Sequence, residues 1–154
     1  MLKLIVMFGT LVAFIYVLSA IEQSEIKRIE NSKSVEEKSI DESVAYPVRK
    51  QLDAYNERSI SEFIKYFSDD VKLYRLQSGE LICDGRDNLI ALYGDLFTRS
   101  ENLKCEVVKR ITCGDFVIDE ELVDGLNESN KIHATAIYEV KDSLIIKAWF
   151  ISGK

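Results

Sequence analysis

The sequence predicts an α+β domain in which helices come first and a mainly antiparallel sheet follows. Apolar residues recur at helical spacing in two early segments, 48–55 and 89–97. From Gly114 to Gly153 the pattern changes to three runs of β-branched and aromatic residues, separated by turn residues. The chain has 154 residues, of which 47% are apolar, which is enough for one such domain with short attachments.

The N-terminal segment is apolar. Leu4 to Leu18 contains no charged residue, and only Lys3 and the terminal amine carry charge before it. The run is shorter than the roughly 17–25 residues of a membrane-spanning helix and reaches the upper end of a signal-peptide core, about 7–15 residues. We therefore expect residues 1–20 to be a signal peptide or an N-terminal membrane anchor. The rest of the chain would then be exported, periplasmic or extracellular, and would meet the membrane only through this segment.

Residues 21–46 are highly charged, with seven acids against four bases. Ile26 and Ile29 could share one face of a helix, but the segment has too few apolar residues to form a core. We interpret it as a charged, flexible tether. A helix that binds a partner is the alternative.

The globular domain is expected to span residues 47–154 and to open with two helices. Pro47 suits the first turn of a helix, because its missing N–H is not needed there. After a short break, Ser59-Ile60-Ser61-Glu62 matches a capping box and predicts a second helix through Phe67. Asp69 and Asp70 are expected to end that helix and lead into a strand.

A hairpin and a third helix are predicted next. Residues 71–76 form the first strand, Gln77 to Glu80 the turn, and residues 81–83 the returning strand. The following segment has the best amphipathic pattern in the chain, which predicts a helix with one face on the sheet. The apolar stripe consists of Leu89, Leu92, Tyr93, Leu96 and Phe97.

Four further strands complete the prediction: Lys104 to Thr112, Phe116 to Val123, Ile132 to Val140 and Leu144 to Ser152. The loop before the third of them contains a glycosylation sequon, Asn127-Glu128-Ser129.

Composition excludes several classes of function. A net charge of −6 and an isoelectric point near 4.9 give no electrostatic footprint for nucleic acid. Cys83, Cys105 and Cys113 have no C-x-x-C spacing, and His133 is the only histidine that could join them at a metal. We expect three buried free thiols, no metal site and no cofactor.

Three segments of the C-terminal stretch, GDFVIDEELVDG, AIYEVKDS and IIKAWFI, resemble SnoaL-like domains. These domains belong to the nuclear transport factor 2-like and ketosteroid-isomerase-like superfamily, and the resemblance extends back to about Val48. It implies a strongly bent sheet that closes on its N-terminal helices as a cone-shaped roll. The superfamily contains isomerases, cyclases, dehydratases and transport adaptors, so the resemblance does not decide whether the chain is an enzyme.

The isomerase residues are not retained. Ketosteroid isomerases of this superfamily combine an Asp base with a Tyr and a protonated Asp that stabilise an enolate. Matching these positions to this sequence places the base on Arg75, the Tyr on Gln51 and the protonated Asp on Ala136. The resemblance therefore implies no proton transfer by that route.

The remaining acids lie on the strand 116–123. Strand alternation places Glu120 on one face and Asp119 and Glu121 on the other. If the first face lined the interior, one carboxylate with a raised pKa would sit among apolar neighbours; if the second did, its two acids could pair with Arg110. The resemblance favours the second face, because SnoaL-like sequences carry acids there. We expect Asp119, Glu121 and Arg110 to bind the ligand, with Arg75 at or near the mouth; a solvated strand face is the alternative.

Two functions remain open. The first is an apolar pocket that binds or transforms a small apolar molecule with a polar group. The second is a non-catalytic interaction domain at the membrane surface that forms a homodimer through its open sheet face. Trp149 or Lys147 would suit that face, while Ile146, Ala148 and Phe150 would point inward.

Overall fold

The computed structural model describes the backbone of residues 2–126 and 131–152, and the side chains from residue 21 onward apart from 37, 39 and 40. The chain divides into two compact units, Met1–Ile40 and Asp41–Lys154. The side chains of the predicted signal peptide or anchor, residues 1–20, lie outside this description, and so does the sequon at 127–129. Within the described part of the chain, no helix combines the length and the apolar character needed to cross a membrane.

The first helix is much longer than predicted. Helix α1 spans Leu2–Glu57, so Pro47 lies inside it rather than in its first turn. The Glu, Lys and Arg residues of 21–46 are good helix formers, which explains why low apolar content does not end the helix. Burial also begins earlier than predicted, because Ala45 belongs to the core and Val44 packs against it.

The region after α1 corrects a second prediction. Helix α2, Ile60–Phe63, is only one turn long and continues as a 3-10 turn, Ile64–Tyr66. Strand β1, Phe67–Arg75, then begins at Phe67, so Asp69 and Asp70 lie in a strand and do not end a helix. The expected capping box is not formed, since the Ser59 side chain makes no capping hydrogen bond to a backbone N–H of the helix. Phe67 is buried and pairs with Ile145, so burial in the sheet outweighs the local helical pattern.

The remaining elements follow the predicted order. They are β2 Glu80–Asp84, α3 Arg86–Arg99, β3 Lys104–Cys113, β4 Phe116–Asp124, β5 Ile132–Lys141 and β6 Leu144–Ser152. The six strands form one sheet in the order β2-β1-β6-β5-β4-β3. Every neighbouring pair is antiparallel except β1 and β6, which are parallel. The prediction of an α+β domain, with helices on a curled and mainly antiparallel sheet, is confirmed.

Ile146 does not point inward as predicted, because β6 contains an irregularity at this residue. Glu139 pairs with Lys147 and Val140 pairs with Ile145, so Ile146 is an extra residue in the ladder. The alternation shifts at that point, and Ile145 rather than Ile146 is fully buried. Ala148 is buried, as predicted.

The core lies between the helices and one face of the sheet. Phe63 is its aromatic centre, with ring centroids 4.5 Å from Tyr93, 4.8 Å from Phe67 and 5.6 Å from Phe97. Of the stripe predicted on α3, Leu89 and Phe97 are buried, Tyr93 and Leu96 pack against the core, and Leu92 is exposed.

The cysteines are free thiols, and the prediction that all three are buried is wrong for one of them. Cys83 and Cys105 are buried, whereas Cys113 is exposed at the end of β3. The bulge between Val107 and Lys109 shifts the alternation of β3, so Cys113 lies on the opposite face of the strand from buried Cys105.

Candidate functional site

A cavity of about 300 Å³ lies between α1, α3 and strands β3 to β6. Its walls are mainly apolar and aromatic, which is typical of sites that bind small molecules. The helices contribute Leu52, Tyr55 and Tyr93, and the strands contribute Val123, Ile132 and Phe150. Buried polar groups are confined to a few positions, which are Gln51, Cys105, Glu121 and Tyr138.

One side chain fixes the end of α1 above this cavity. The Asn56 Nδ2 donates to the Cys105 carbonyl at 2.9 Å, and the Cys105 N–H donates to Asn56 Oδ1 at 2.7 Å. A side-chain amide that satisfies both backbone groups of one strand residue sets the height of the helix over β3. Gln51 and Tyr55, within about one and a half turns of Asn56 on α1, are thereby held over the cavity.

A chain of hydrogen bonds crosses the cavity from helix to sheet. The Gln51 Nε2 donates to the Tyr138 hydroxyl at 3.3 Å, and the Tyr138 hydroxyl donates to Glu121 Oε1 at 3.2 Å. All three side chains are buried. Each polar group therefore has a defined partner, and the carboxyl group of Glu121 is held in one orientation.

A second acid lies next to this chain. Asp119 is 1% exposed and accepts two hydrogen bonds from Arg110, 2.7 Å from Nε to Oδ1 and 2.6 Å from Nη2 to Oδ2. This is the parallel, two-bond geometry in which Arg and a carboxylate match best. Arg110 and Asp119 are directly opposed on β3 and β4, so strand register brings them together.

Burial is the main cause, and the negative charge of Asp119 the second, that raise the pKa of Glu121 to about 7. The hydrogen bond from Tyr138, the charge of Arg110 and the contact with the Cys105 thiol act in the opposite direction. Glu121 is therefore a mixture of its acid and carboxylate forms near neutral pH. Such a group can donate or accept a proton at the polar end of an apolar cavity.

The tyrosine hydroxyls and the cysteine thiol of the cavity stay neutral. Burial raises the pKa of Tyr138 well above its usual value, and it also raises the pKa of Tyr55 and Tyr93. Burial, followed by the charge of Glu121, raises the pKa of the Cys105 thiol. Cys105 is therefore a protonated thiol and not an activated nucleophile.

Of the two alternatives for strand β4, the structure has the one in which Asp119 and Glu121, and not Glu120, point into the interior. Asp119 and Glu121 face the interior, and Arg110 pairs with Asp119. Glu120 faces outward, with its Oε1 2.9 Å from His133 Nε2. Of the four residues expected to bind a ligand, only Glu121 lines the cavity itself, and binding stays a prediction for all of them.

Arg75 is not among the residues that line the cavity, and its place at or near the mouth stays a prediction. Its Nε is 3.1 Å from Glu80 Oε2, its cross-strand neighbour on β2, and both side chains are exposed. The tight β1–β2 turn places Glu80 directly opposite Arg75, and the ion pair holds the guanidinium at the hairpin.

Tyr138 and Gln51 were missed by the sequence analysis. A signal for Tyr138 exists, because it is the one large residue after Ala134 and Ala136 on the same face of β5. Gln51 interrupts an apolar helical stripe, which is also unusual. The two interior positions matched to the isomerases are both in the core: Gln51 lines the cavity, and Ala136 is directly opposite Asp119.

Among the residues that the structure describes, no three His, Cys, Asp or Glu side chains lie close enough together to hold a metal ion.

Solved structures share this fold at low sequence identity. A cystatin-fold protein of Novosphingobium aromaticivorans is 18% identical, with 70% of this chain and 97% of that chain covered and a TM-score of 0.64. A candidate ketosteroid isomerase of Kribbella flavida is 18% identical, with 74% and 80% covered and a TM-score of 0.65. A candidate polyketide cyclase of Sinorhizobium meliloti is 15% identical, with 68% and 93% covered and a TM-score of 0.60. These likenesses show the fold alone.

Sequence comparison gives the family. No curated protein matches the chain. The sequence model described as SnoaL-like domain matches residues 48–148, a range that runs from the end of α1 into β6 and includes Asp119, Glu121 and Tyr138. That range covers well over half of the chain and agrees with the fold, and so the chain belongs to the family of SnoaL-like domains.

Proposed function

We propose that the domain binds a small, largely apolar molecule with one polar group in the cavity between α1, α3 and strands β3 to β6. The observation that carries this proposal is the cavity itself, with apolar walls and one buried, hydrogen-bonded carboxyl group at Glu121. Apolar walls supply affinity through burial, and a single fixed polar group orients the ligand.

The same site meets one requirement of acid–base chemistry. A carboxyl group that titrates near pH 7 is suited to move a proton at neutral pH, and Tyr138 holds it in place. Isomerisation and cyclisation, the reactions for which the two candidate enzymes above are named, are therefore the reaction classes to test after binding.

Binding can be measured with N-phenyl-1-naphthylamine, a neutral apolar dye whose fluorescence rises in apolar cavities. We expect Ala134→Phe, which fills the cavity from β5, to abolish the signal. Glu121→Gln should weaken binding roughly tenfold, about 1.4 kcal/mol, because the polar end is altered.

Glu120→Gln is the matched control, because the same change is made one residue away on the outer face. It should leave binding unchanged. The proposal fails if the dye does not bind, or if Glu120→Gln removes binding while Glu121→Gln has no effect.

A second function is favoured by the outer face of the sheet. One apolar residue from every strand lies in the same row of cross-strand partners, and Tyr74 stacks on Trp149 at 6.0 Å between ring centroids. Apolar rows of this length on a sheet face are typical of interfaces. In strand order the row is Leu81, Tyr74, Trp149, Ile137, Ile118 and Ile111. We propose that two copies of the chain pair through this face as a homodimer.

Light scattering on a size-exclusion column tests the homodimer. Ile137→Glu, in the middle of the row, should convert a dimer to a monomer, since a buried unpaired carboxylate is costly. Ile90→Glu is the control, because Ile90 is exposed on α3, outside the row. A wild-type chain that is monomeric at every concentration would exclude this interface.

We also propose that residues 1–20 direct the domain out of the cytoplasm, because the charge-free run from Leu4 to Leu18 follows a basic residue. With a C-terminal tag, the domain should fractionate outside the cytoplasmic membrane, and deletion of residues 1–20 should leave it in the cytoplasm. Full-length protein that is soluble in the cytoplasm and retains Met1 would contradict the proposal.

A further inference from the structure

The charges around the cavity do not balance. Two buried carboxyl groups, Asp119 and Glu121, face one guanidinium, and Arg110 uses two of its nitrogens on Asp119. Glu121 has a hydrogen bond from neutral Tyr138, and no ion pair to it lies within 4.0 Å in the described part of the chain. A buried carboxylate needs a proton or a cation close to it. One positive charge is therefore missing when Glu121 is ionised.

The walls beside Glu121 suit a cation. Tyr55, Tyr93, Tyr138 and Phe150 line the cavity, and the faces of aromatic rings attract positive charge. Arg99 is the one basic residue among the described lining residues. It lies in the last turn of α3, is mostly exposed, and pairs with Asp95 at 3.3 Å, so it supplies no counter-charge to the buried end.

We propose that the cavity takes an organic cation, an amine or ammonium group on a small apolar body, with the cationic group beside Glu121 and the body against the aromatic walls. This inference rests on the proposed binding function and names its class of ligand. With a neutral molecule Glu121 is neutralised only by taking up a proton, and an anion would face two carboxyl groups. The cation completes a site of two carboxylates and two positive charges.

Binding of this ligand is coupled to release of a proton. The cation requires ionised Glu121, so the proton held by its carboxyl group below about pH 7 passes to solvent as the ligand enters. Of the groups that face Glu121, the three tyrosine hydroxyls and the cysteine thiol have pKa values raised by burial and stay protonated, and the Arg and the Asp pair with each other. These groups are Asp119 on β4, Arg110 and Cys105 on β3, Tyr138 on β5, Tyr55 on α1 and Tyr93 on α3.

Two isosteric probes separate charge from shape. Choline is a quaternary ammonium ion, and 3,3-dimethylbutan-1-ol is the same molecule with carbon in place of the charged nitrogen. Each is titrated against the full chain carrying N-phenyl-1-naphthylamine. At pH 8 we expect choline to displace the dye at a concentration at least tenfold lower than the alcohol. Between pH 8 and pH 6 the choline affinity should fall about tenfold, following the ionised fraction of a group with a pKa of about 7.

Matched variants assign the effect to one carboxyl group. Glu121→Gln should remove both the preference for choline and its pH dependence. Glu120→Gln should retain both. His133→Asn should also retain both, which excludes the one histidine as the titrating group.

The outcomes distinguish this inference from the function on which it rests. If the alcohol displaces the dye as well as choline does, or if neither displaces it, the cation is excluded while the apolar binding site stands. If choline affinity does not change with pH in the wild type, Glu121 is not its partner and the inference is overturned. If the dye itself never binds, the proposed function fails and the cation fails with it.

Discussion

Three consecutive acids of β4 have three different environments. Asp119 is buried and bound by Arg110, Glu120 is exposed beside His133, and Glu121 is buried beside neutral Tyr138. The differences follow from strand alternation and from one cation that reaches only one of the two interior acids. Glu121 is thus the one interior acid whose charged form is unfavourable, and its effect on stability should depend on pH.

The first prediction concerns that pH dependence. The folded-state pKa of Glu121 is about 7, above its ordinary value of 4.5, so the folded chain binds more protons than the unfolded chain between these pH values. The contribution of Glu121 to stability is fully present below about pH 4.5 and is lost as pH rises through 7. In urea denaturation, Glu121→Gln should gain stability relative to wild type by up to about 3 kcal/mol between pH 5 and pH 8.

Glu120→Gln is again the control and should follow the wild-type curve over this range, because Glu120 is exposed. If the stability difference between Glu121→Gln and wild type is the same at pH 5 and pH 8, Glu121 does not titrate between them in the folded chain.

The second prediction concerns the Arg110–Asp119 pair. Arg110→Ala should destabilise the domain by about 3–5 kcal/mol, because it leaves the fully buried carboxylate of Asp119 without a partner. Replacing both residues, as Arg110→Met with Asp119→Leu, should cost much less than the single change. Equal losses for the single and double variants in urea denaturation would show that the pair contributes net stability and does not only neutralise Asp119.

Only the part of the site that lies on strand β4 and its neighbour β3 could be predicted from the sequence. Alternation along 116–123 predicted that Asp119 and Glu121 share a face, and Arg110 followed from pairing of adjacent strands. Tyr138 and Gln51 depend on contacts between β5, β4 and α1, whose geometry no local pattern contains. The position of Arg75 relative to the cavity depends in the same way on how the β1–β2 hairpin turns, which no local pattern reports.

At the scale of elements, the loop after β4 depends on one glycine. Gly125 has φ +79°, and a Cβ there would lie 2.4 Å from both the carbonyl carbon and oxygen of Asn102 and 2.7 Å from the Leu103 nitrogen. The backbone of the α3–β3 connection therefore occupies the space of a side chain. Leu126, the next residue, lines the cavity, so this contact also shapes the site.

The third prediction follows from that contact. Gly125→Ala should cost more than about 2 kcal/mol in thermal or urea unfolding, because strain at positive φ adds to a clash with backbone. It should also weaken binding of N-phenyl-1-naphthylamine, because Leu126 would shift.

Gly114→Ala is the matched comparison. Gly114 also has a positive φ, +57°, but no atom lies within 4 Å of its added Cβ. It should lose only about 1 kcal/mol, the conformational part of the penalty. Similar losses for the two variants would mean that the loop moves freely away from the α3–β3 connection.

Element boundaries were predicted best where the local pattern and the tertiary structure agree. Residues 144–152 were predicted and found as a strand, because alternating apolar residues pair on both sides. Residues 64–70 were predicted as a helix and its end, yet they form a 3-10 turn and the start of β1. That strand begins at a parallel pairing with β6, far away in sequence, which no local capping signal reports.

For the whole molecule, the order of helices and strands was enough to predict an α+β fold, and the SnoaL-like resemblance supplied the curled sheet. The extent of the compact unit was less accessible. The sequence placed its start at Pro47, whereas the unit begins at Asp41 and its core at Ala45. The charged residues around this boundary favour helix on both sides of it, so composition alone does not show where packing starts.

The last prediction tests that boundary by truncation. Every residue of the apolar core lies between Ala45 and Ala148, and the ion pair of Glu42 with Arg49 at 3.0 Å lies within the unit that starts at Asp41. A chain of residues 41–154 should therefore melt at the same temperature as one of residues 21–154. A chain of residues 49–154 loses Ala45, Pro47 and Val48, three buried side chains worth roughly 3–5 kcal/mol together, and should melt several degrees lower. Circular dichroism during heating measures all three. If the 41–154 chain already melts several degrees lower, residues 21–40 contribute to folding and the charged segment is not merely a tether.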